Sequence, residues 1–252
     1  MRTLIILFSC LFSLNLSGQT TAELEKAFHK GNTAFANQEF EKAADIYEQI
    51  IAKGHLSFEL HYNLGNTYFR LNNIPKAILH YERALKIEPN HADAKYNLEL
   101  ANQRTIDQIS NISTFVLVRW WKSWQGLLSS NLWSTFTILA SFLGFAGLSL
   151  WQLSKRQVLR KRGFIIGVTC LSIALVFGFT AAAKFQTENS DNAILFAKEY
   201  PLKSGADDSS PDILLLHEGT KVEILDKIGL WSKVCLPNGE QGWLPSDSLV
   251  KI

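Results

Sequence analysis

The chain has 252 residues, and its 25 Lys and Arg residues nearly balance its 23 Asp and Glu residues. This balance excludes a strongly basic nucleic-acid binder and an acidic solvating protein, and 47% hydrophobic against 19% charged residues excludes an intrinsically disordered chain. Three Cys residues are too few for a disulfide-stapled scaffold, and seven Trp residues among so few charges favour a membrane protein. The charge is uneven, because residues 105–162 contain seven basic residues and one acidic residue.

Residues 1–18 are predicted to be a secretory signal peptide. Arg2 supplies a positive start, an apolar stretch runs from Leu4 to Leu16, and the small residues Ser17 and Gly18 follow. An uncleaved signal anchor is the main alternative. Attachment of a lipid at Cys10 is a further alternative, although the bulky Phe8 stands where small residues are usual.

Residues 21–104 contain an internal repeat with a period of 34 residues, because Gly31-Asn32-Thr33 returns as Gly65-Asn66-Thr67. A 34-residue period is typical of helix–turn–helix solenoids. Asn72-Asn73-Ile74-Pro75 predicts a turn, with Pro75 opening the next helix. The small residues of the repeat are expected to let paired helices approach closely; they are Gly31, Gly65, Ala43 and Ala77.

The repeat resembles the tetratricopeptide repeat (TPR) family. Residues 58–91 carry its signature at Leu64-Gly65, Tyr68, Ala77, Tyr81, Ala84 and Pro89. Residues 24–57 form a degenerate first repeat in which Lys30 replaces the expected Leu, and residues 92–104 are predicted to be a capping helix. The resemblance therefore implies an all-α TPR array over residues 19–104. Such arrays usually need at least three repeats for stability, and this one has two repeats and a cap. We therefore expect another part of the protein to stabilise it.

The resemblance also implies a groove for a peptide or a partner helix. Asn side chains both donate and accept hydrogen bonds and could hold an extended ligand; alternatively, they satisfy helix packing. One version of the TPR family captures acidic C-terminal peptides with basic residues in the groove. The equivalent positions are not basic here, so capture of such a peptide is not expected. The predicted groove residues are Phe28, Asn32, Phe35, Tyr62, Asn63, Asn66, Phe69, Arg70, Tyr96 and Asn97.

Residues 105–131 are predicted to be an amphipathic juxtamembrane segment, with Trp120, Trp121 and Trp124 at the level of the lipid headgroups. Two uncharged apolar stretches follow, at residues 132–151 and 163–183. Each is long enough to cross a bilayer, and two buried helices of a globular core are the alternative.

The segment between these stretches, residues 152–162, is predicted to be a basic cytoplasmic loop. Short positively charged loops stay in the cytoplasm, so both flanking domains are expected on the other side of the membrane. A nucleic-acid or lipid-binding patch is the alternative. The residues that determine this topology are Lys155, Arg156, Arg160, Lys161 and Arg162. Gly163 and Gly167 form a GxxxG motif that could pack the two helices together.

After a linker at residues 184–192, residues 193–252 change to the alternating, turn-punctuated pattern of β-strands. Strands are predicted at residues 194–196, 212–216, 221–225, 231–236 and 242–244, with a flexible loop over residues 198–211. The final segment resembles bacterial SH3 domains, which implies a small all-β barrel. Trp231 and Pro245 match two positions of the ligand groove in that family. Binding of cell-wall peptides and a spacer or docking role both remain open.

No motif for catalysis is recognisable, so a non-enzymatic protein without cofactor or metal is expected. The order of segments, from signal through TPR array and membrane hairpin to SH3-like end, resembles the BatE family of Bacteroides aerotolerance (Bat) proteins. The basic loop and the export signal predict an inner-membrane protein with both end domains in the periplasm, and the resemblance implies roles in complex assembly and stress tolerance. It also implies as partners the membrane-anchored von Willebrand A-type Bat proteins and, indirectly, a MoxR-type AAA+ ATPase. The alternative is an envelope sensor whose SH3-like domain binds peptidoglycan or its peptides.

Overall fold

The computed structural model describes residues 22–109 and 116–252, and these residues form two compact units. The first unit combines residues 22–109 with residues 191–252, and the second contains residues 116–190. The export signal predicted over residues 1–18 lies outside the described residues.

The first part of the first unit consists of helices that pack on their neighbours in chain order. This arrangement confirms the predicted helical repeats, with one helix pair for each repeat and a closing helix. The helices are α1 (residues 22–36), α2 (Phe40–Ala52), α3 (Phe58–Arg70), α4 (Ile74–Ile87) and α5 (Ala92–Asn102).

The turn between the two helices of a repeat has the same backbone geometry in both repeats. Gln38 and Asn72 lie 34 residues apart, and both have a positive φ, 63° and 59° respectively. Asn is among the residues that tolerate this conformation best. The Asn73 side chain then accepts a hydrogen bond from the Lys76 backbone N–H, 3.3 Å away, and Pro75 is the second residue of α4. The predicted turn before Pro75 is therefore confirmed.

The glycines of the repeat are required because a tyrosine ring lies against each of them. A Cβ atom on Gly31 would lie 2.5 Å from Cε1 of Tyr47, and one on Gly65 would lie 2.7 Å from Cδ1 of Tyr81. No ordinary contact between carbon atoms is that short. The expectation that small residues permit close helix approach is thus confirmed for Gly31 and Gly65.

Residues 191–252 form a seven-stranded antiparallel sheet with the strand order β3-β2-β6-β5-β4-β1-β7. The sheet is open, with β3 and β7 at its edges, whereas we expected a closed barrel. The predicted loop over residues 198–211 is wrong in its first part, because β2 lies there and pairs with β3. The strands are β1 (Asn192–Leu195), β2 (Glu199–Lys203), β3 (Asp212–His217), β4 (Lys221–Ile228), β5 (Trp231–Cys235), β6 (Gln241–Pro245) and β7 (Leu249–Lys251).

The sheet packs directly against the helical array, so the two regions predicted as separate domains form one unit. Ile194 of β1 is fully buried in the same hydrophobic core as the repeat residues Leu64 and Ile78. Arg83 and Lys86 of α4 donate hydrogen bonds of 2.7 and 3.1 Å to the main-chain oxygen atoms of Lys251 and Ile252. The structure therefore supplies the support that two repeats need.

Residues 105–109 also belong to this unit, although the sequence assigned them to the juxtamembrane segment. The carboxylate of Asp107 accepts hydrogen bonds from the His217 backbone N–H at 2.6 Å and from Thr220 Oγ1 at 2.7 Å. His217 Nδ1 lies 2.7 Å from the other carboxylate oxygen. These bonds hold the pKa of Asp107 below its ordinary value despite partial burial. A further ion pair of 2.7 Å joins Glu82 of α4 to Lys221 of β4.

The second unit contains three helices. Two of them, α7 and α8, are long and apolar enough to cross a membrane by length and composition. Helix α8 extends beyond the apolar stretch at both ends, so that residues 157–162 of the predicted loop and residues 184–188 of the predicted linker are helical. The helices are α6 (Val116–Gln125), α7 (Ser130–Leu153) and α8 (Gln157–Glu188).

Helices α7 and α8 approach each other at glycines from both helices. A Cβ atom on Gly147 of α7 would lie 2.7 Å from the backbone nitrogen of Gly167 and 3.0 Å from the carbonyl oxygen of Gly163. The GxxxG motif at Gly163 and Gly167 therefore packs the two helices together, as expected from the sequence.

Substitution of Gly147 by Ala is expected to destabilise this helix pair by about 1–3 kcal/mol, because the added methyl group meets backbone atoms that cannot move aside. Gly178→Ala is the matched control, since its Cβ atom would lie 3.4 Å from Thr137 Cγ2, an ordinary contact. Thermal unfolding in mild detergent, followed by Trp fluorescence, measures the effect. Equal transition temperatures for the two variants would contradict this account of the packing.

Candidate partner-binding site

The predicted groove contains a hydrogen-bond network that repeats with the period of the sequence. In the first repeat, Asn32 Oδ1 accepts from Tyr47 Oη at 2.7 Å and from Asn63 Nδ2 at 3.1 Å. Thirty-four residues later, Asn66 Oδ1 accepts from Tyr81 Oη at 2.8 Å and from Asn97 Nδ2 at 2.9 Å. Each network connects three successive helices, so these amides have a structural role within the array.

The two tyrosines of this network are neutral at ordinary pH, and burial shifts the pKa of each further above its ordinary value. Burial raises the pKa of Tyr47 to about 12, although its contact with Asn63 lowers the pKa slightly, and burial also raises the pKa of Tyr81. Both phenols thus keep their protons and donate to the amide oxygens of Asn32 and Asn66. An Ala in place of either Asn would leave a tyrosine hydroxyl without its acceptor, which costs about 1–3 kcal/mol. Loss of binding in such variants would therefore be difficult to separate from loss of structure.

The remaining predicted groove residues divide into packed rings and exposed groups. Phe28 packs against Tyr47 with ring centroids 5.9 Å apart, and Phe35 packs against Phe40 at 5.3 Å. The guanidinium group of Arg104, which the sequence did not single out, lies 4.1 Å from the ring centroid of Phe69.

Arg70 and Tyr96 are the exposed members of the predicted set. The Arg70 guanidinium lies 4.7 Å from the Phe40 ring centroid, and Tyr96 on α5 is 63% exposed. Tyr62 is half-buried and accepts a hydrogen bond of 3.1 Å from Asn97 Nδ2. An exposed Tyr and two Arg residues stacked on aromatic rings are residue types enriched at protein interfaces.

A buried histidine pair lies within the second repeat, and the sequence pattern alone did not reveal it. His61 Nδ1 and His80 Nδ1 are 3.1 Å apart, and the two side chains are 3% and 6% exposed. Burial and the nearby charge of Arg83 lower the pKa of His61 to about 4. Burial, His61 and Arg83 lower the pKa of His80 further. An alignment of the two repeats could have indicated that these histidines are buried. The residues of the first repeat that align with His61 and His80 are the apolar Ala27 and Ile46.

The sheet brings together the two residues predicted from the SH3-like pattern. Trp231 of β5 is directly opposite Pro245 of β6 in the strand register, and both are half-buried. The neighbouring Leu230 is 83% exposed, and its carbonyl oxygen accepts a hydrogen bond from the Ser246 backbone N–H at 2.8 Å.

The five basic residues of the predicted topology segment lie at the start of α8 and in the residues just before it. All five are exposed, and within residues 22–109 and 116–252 none of them forms an ion pair; they are Lys155, Arg156, Arg160, Lys161 and Arg162. The described part of the chain also has no group of three or more His, Cys, Asp or Glu residues that could hold a metal ion.

Comparison with known proteins assigns one part of the chain. The model of the tetratricopeptide repeat family matches residues 58–91. This segment comprises α3, α4 and the connection to α5, so the match covers the repeat that the sequence identified as complete. A search of curated proteins finds no match to the chain. The class defined by the fold and the family match is thus a helical-repeat protein of the kind that mediates protein–protein interactions.

Proposed function

We propose that this protein is a non-enzymatic scaffold of the bacterial inner membrane, and that its TPR array binds partner proteins in the periplasm. The observation that carries the proposal is the TPR match on an array whose closing helix leaves Tyr96 exposed. The Asn–Tyr networks fix the spacing of the helices, so that the exposed groups of the groove are held in a rigid arrangement.

The first unit is formed by two segments of the chain that lie before and after the apolar helices, and this supports a two-pass topology. Residues 22–109 and 191–252 pack together, and a single unit lies on one side of a membrane. The intervening chain must then cross the membrane an even number of times, as α7 and α8 do in this proposal. The exposed basic residues at the start of α8 favour a cytoplasmic location for the connection between the helices. The periplasm then receives both ends of the chain.

The partners that we propose are the membrane-anchored von Willebrand A-type Bat proteins and, indirectly, a MoxR-type ATPase. The support for this assignment is the order of segments, which resembles the BatE family along the whole chain, from the export signal to the SH3-like module. In this role the protein would hold together a membrane complex that serves stress and oxygen tolerance.

A second candidate is an envelope sensor that binds peptidoglycan peptides through the sheet. The observation that favours it is the pairing of Trp231 with Pro245, beside the highly exposed Leu230. An aromatic ring, a proline and an exposed leucine could together receive an apolar segment of a peptide. We prefer the array as the main site, because the family match lies there.

Tyr96→Ala is expected to reduce capture of a co-expressed von Willebrand A-type Bat protein at least about tenfold, because exposed tyrosines dominate many interfaces. Co-purification in mild detergent measures the capture, and circular dichroism should remain unchanged. Leu56→Ala is the control, since Leu56 is 64% exposed in the α2–α3 connection, outside the groove.

Undiminished capture by the Tyr96 variant would contradict the groove as the binding site. If Trp231→Ala removed capture instead, the partner site would lie on the sheet. The envelope-sensor candidate predicts a different result, in which Trp231→Ala reduces binding to purified peptidoglycan and Tyr96→Ala leaves that binding unchanged.

A further inference from the structure

A cleft of about 380 Å³ lies where the helical array meets the sheet. Its volume falls in the range of small-molecule sites. Helices α2 and α4 form one wall, and residues of the sheet module form the other. The apolar part of its lining consists chiefly of Ile51, Leu79, Phe196 and Val250.

The polar part of the lining carries one positive charge that forms no ion pair with any residue that the structure describes. Lys76 Nζ lies 3.2 Å from Glu48 Oε1 and 3.0 Å from Tyr68 Oη, so Lys76 and Glu48 neutralise each other. Arg83 also lines the cleft and is half-buried, but its hydrogen-bond acceptor is the uncharged Lys251 carbonyl oxygen. Among the residues that the structure describes, Arg83 forms no ion pair.

Burial of the Arg83 guanidinium group lowers its pKa. His80 lines the same cleft, and its pKa and that of His61 are lowered in part by Arg83, so both imidazoles remain neutral. A half-buried cation without a counter-charge is costly unless an anion pairs with it.

We propose that this cleft binds a carboxylate attached to an apolar chain, with the carboxylate on Arg83 and the chain against Ile51, Leu79, Phe196 and Val250. The planar guanidinium group matches a carboxylate in geometry and supplies several N–H donors. Two sources have this chemistry, namely a free fatty acid and the C-terminal carboxylate of an apolar peptide. The site is distinct from the groove, because α2 and α4 are the second helices of their repeats.

Isothermal titration of the full chain in a non-ionic detergent tests this proposal, with the heat of empty micelles subtracted. The probes are octanoate against octanol, and an acetylated Ala-Ala-Leu-Leu-Val peptide with a free carboxylate against the same peptide as its amide. We expect at least one acid to bind and its neutral counterpart to bind at least about tenfold more weakly. The acid that binds identifies the source of the carboxylate.

Arg83→Gln is expected to weaken binding of that acid at least about tenfold. Lys86→Gln is the matched control, because Lys86 also donates a hydrogen bond to a main-chain oxygen, that of Ile252, but does not line the cleft. Ile51→Trp, which fills the apolar wall, should abolish binding while circular dichroism stays unchanged. Absence of binding by both acids, equal binding of acid and neutral probe, or equal losses for the Arg83 and Lys86 variants would overturn the proposal.

Discussion

Substitution of Ile194 by Asp is expected to unfold the helical array together with the sheet. Ile194 belongs to a β-strand, yet it is fully buried in the hydrophobic core of the repeats. An unpaired carboxylate at this position would cost several kcal/mol, whereas the whole stability of a domain is about 5–15 kcal/mol. The array should therefore lose its fold although the substitution lies about 90 residues beyond its last helix.

Hydrogen exchange of α3 and α4 in the full chain measures this effect independently of the two apolar helices. Ile213→Asp is the control, because Ile213 occupies edge strand β3 and is 44% exposed. It should leave exchange in α3 and α4 unchanged. Slow exchange in these helices of the Ile194 variant would mean that the array is stable alone, contrary to our interpretation of the first unit.

The buried histidine pair is expected to make the first unit sensitive to mild acid. The pKa values of His61 and His80 are lowered by burial, so the unfolded chain takes up protons below about pH 6.5 while the folded chain does not. The stability that the neutral pair contributes is complete above pH 6.5 and is lost as the pH falls toward 4. For two protons the slope reaches about 2.7 kcal/mol per pH unit.

Urea unfolding of the first unit at pH 7.0, 6.0, 5.0 and 4.5 measures this slope. In the double variant His61→Leu with His80→Phe, the free energy of unfolding should change much less between pH 6.0 and 5.0 than in the original chain. Carboxylates contribute less to the slope in this range than at lower pH. His55→Gln, on an exposed connection, should behave like the original chain. Identical slopes for the double variant and the original chain would exclude the histidine pair as the cause.

The parts of the fold that repeat could be predicted from the sequence. Glycine and tyrosine recur 34 residues apart because each glycine receives a tyrosine ring, and that contact fixes the spacing of the helices. The two apolar stretches were equally visible, because a run of about 20 uncharged, mostly apolar residues matches the thickness of a bilayer. The Asn–Tyr networks follow the same period, so the sequence pointed to these Asn residues, which serve the fold.

Contacts that occur only once in the structure could not be predicted, because no repeated sequence pattern accompanies them. Asp107 lies in a segment that the composition assigned to the membrane region, yet it joins His217 and Thr220. The burial of Ile194 in the helical core depends on how the surface of the sheet fits the surface of the helical array. Sequence periodicity does not predict this fit. Strand β2 was hidden for a related reason, because its short sequence contains Pro201 and follows no clear alternation.

The pairing of Asp107 with His217 spans 110 residues, and that of Lys86 with Ile252 spans 166. The chain between these partners contains both apolar helices, so the first unit is a domain into which the segment of the apolar helices is inserted. Such a domain cannot be completed while the ribosome is still making the inserted segment. Its helices must wait for residues 191–252, whose sheet completes their hydrophobic core. The helical array therefore reaches its final packing only after the two apolar helices have been synthesised.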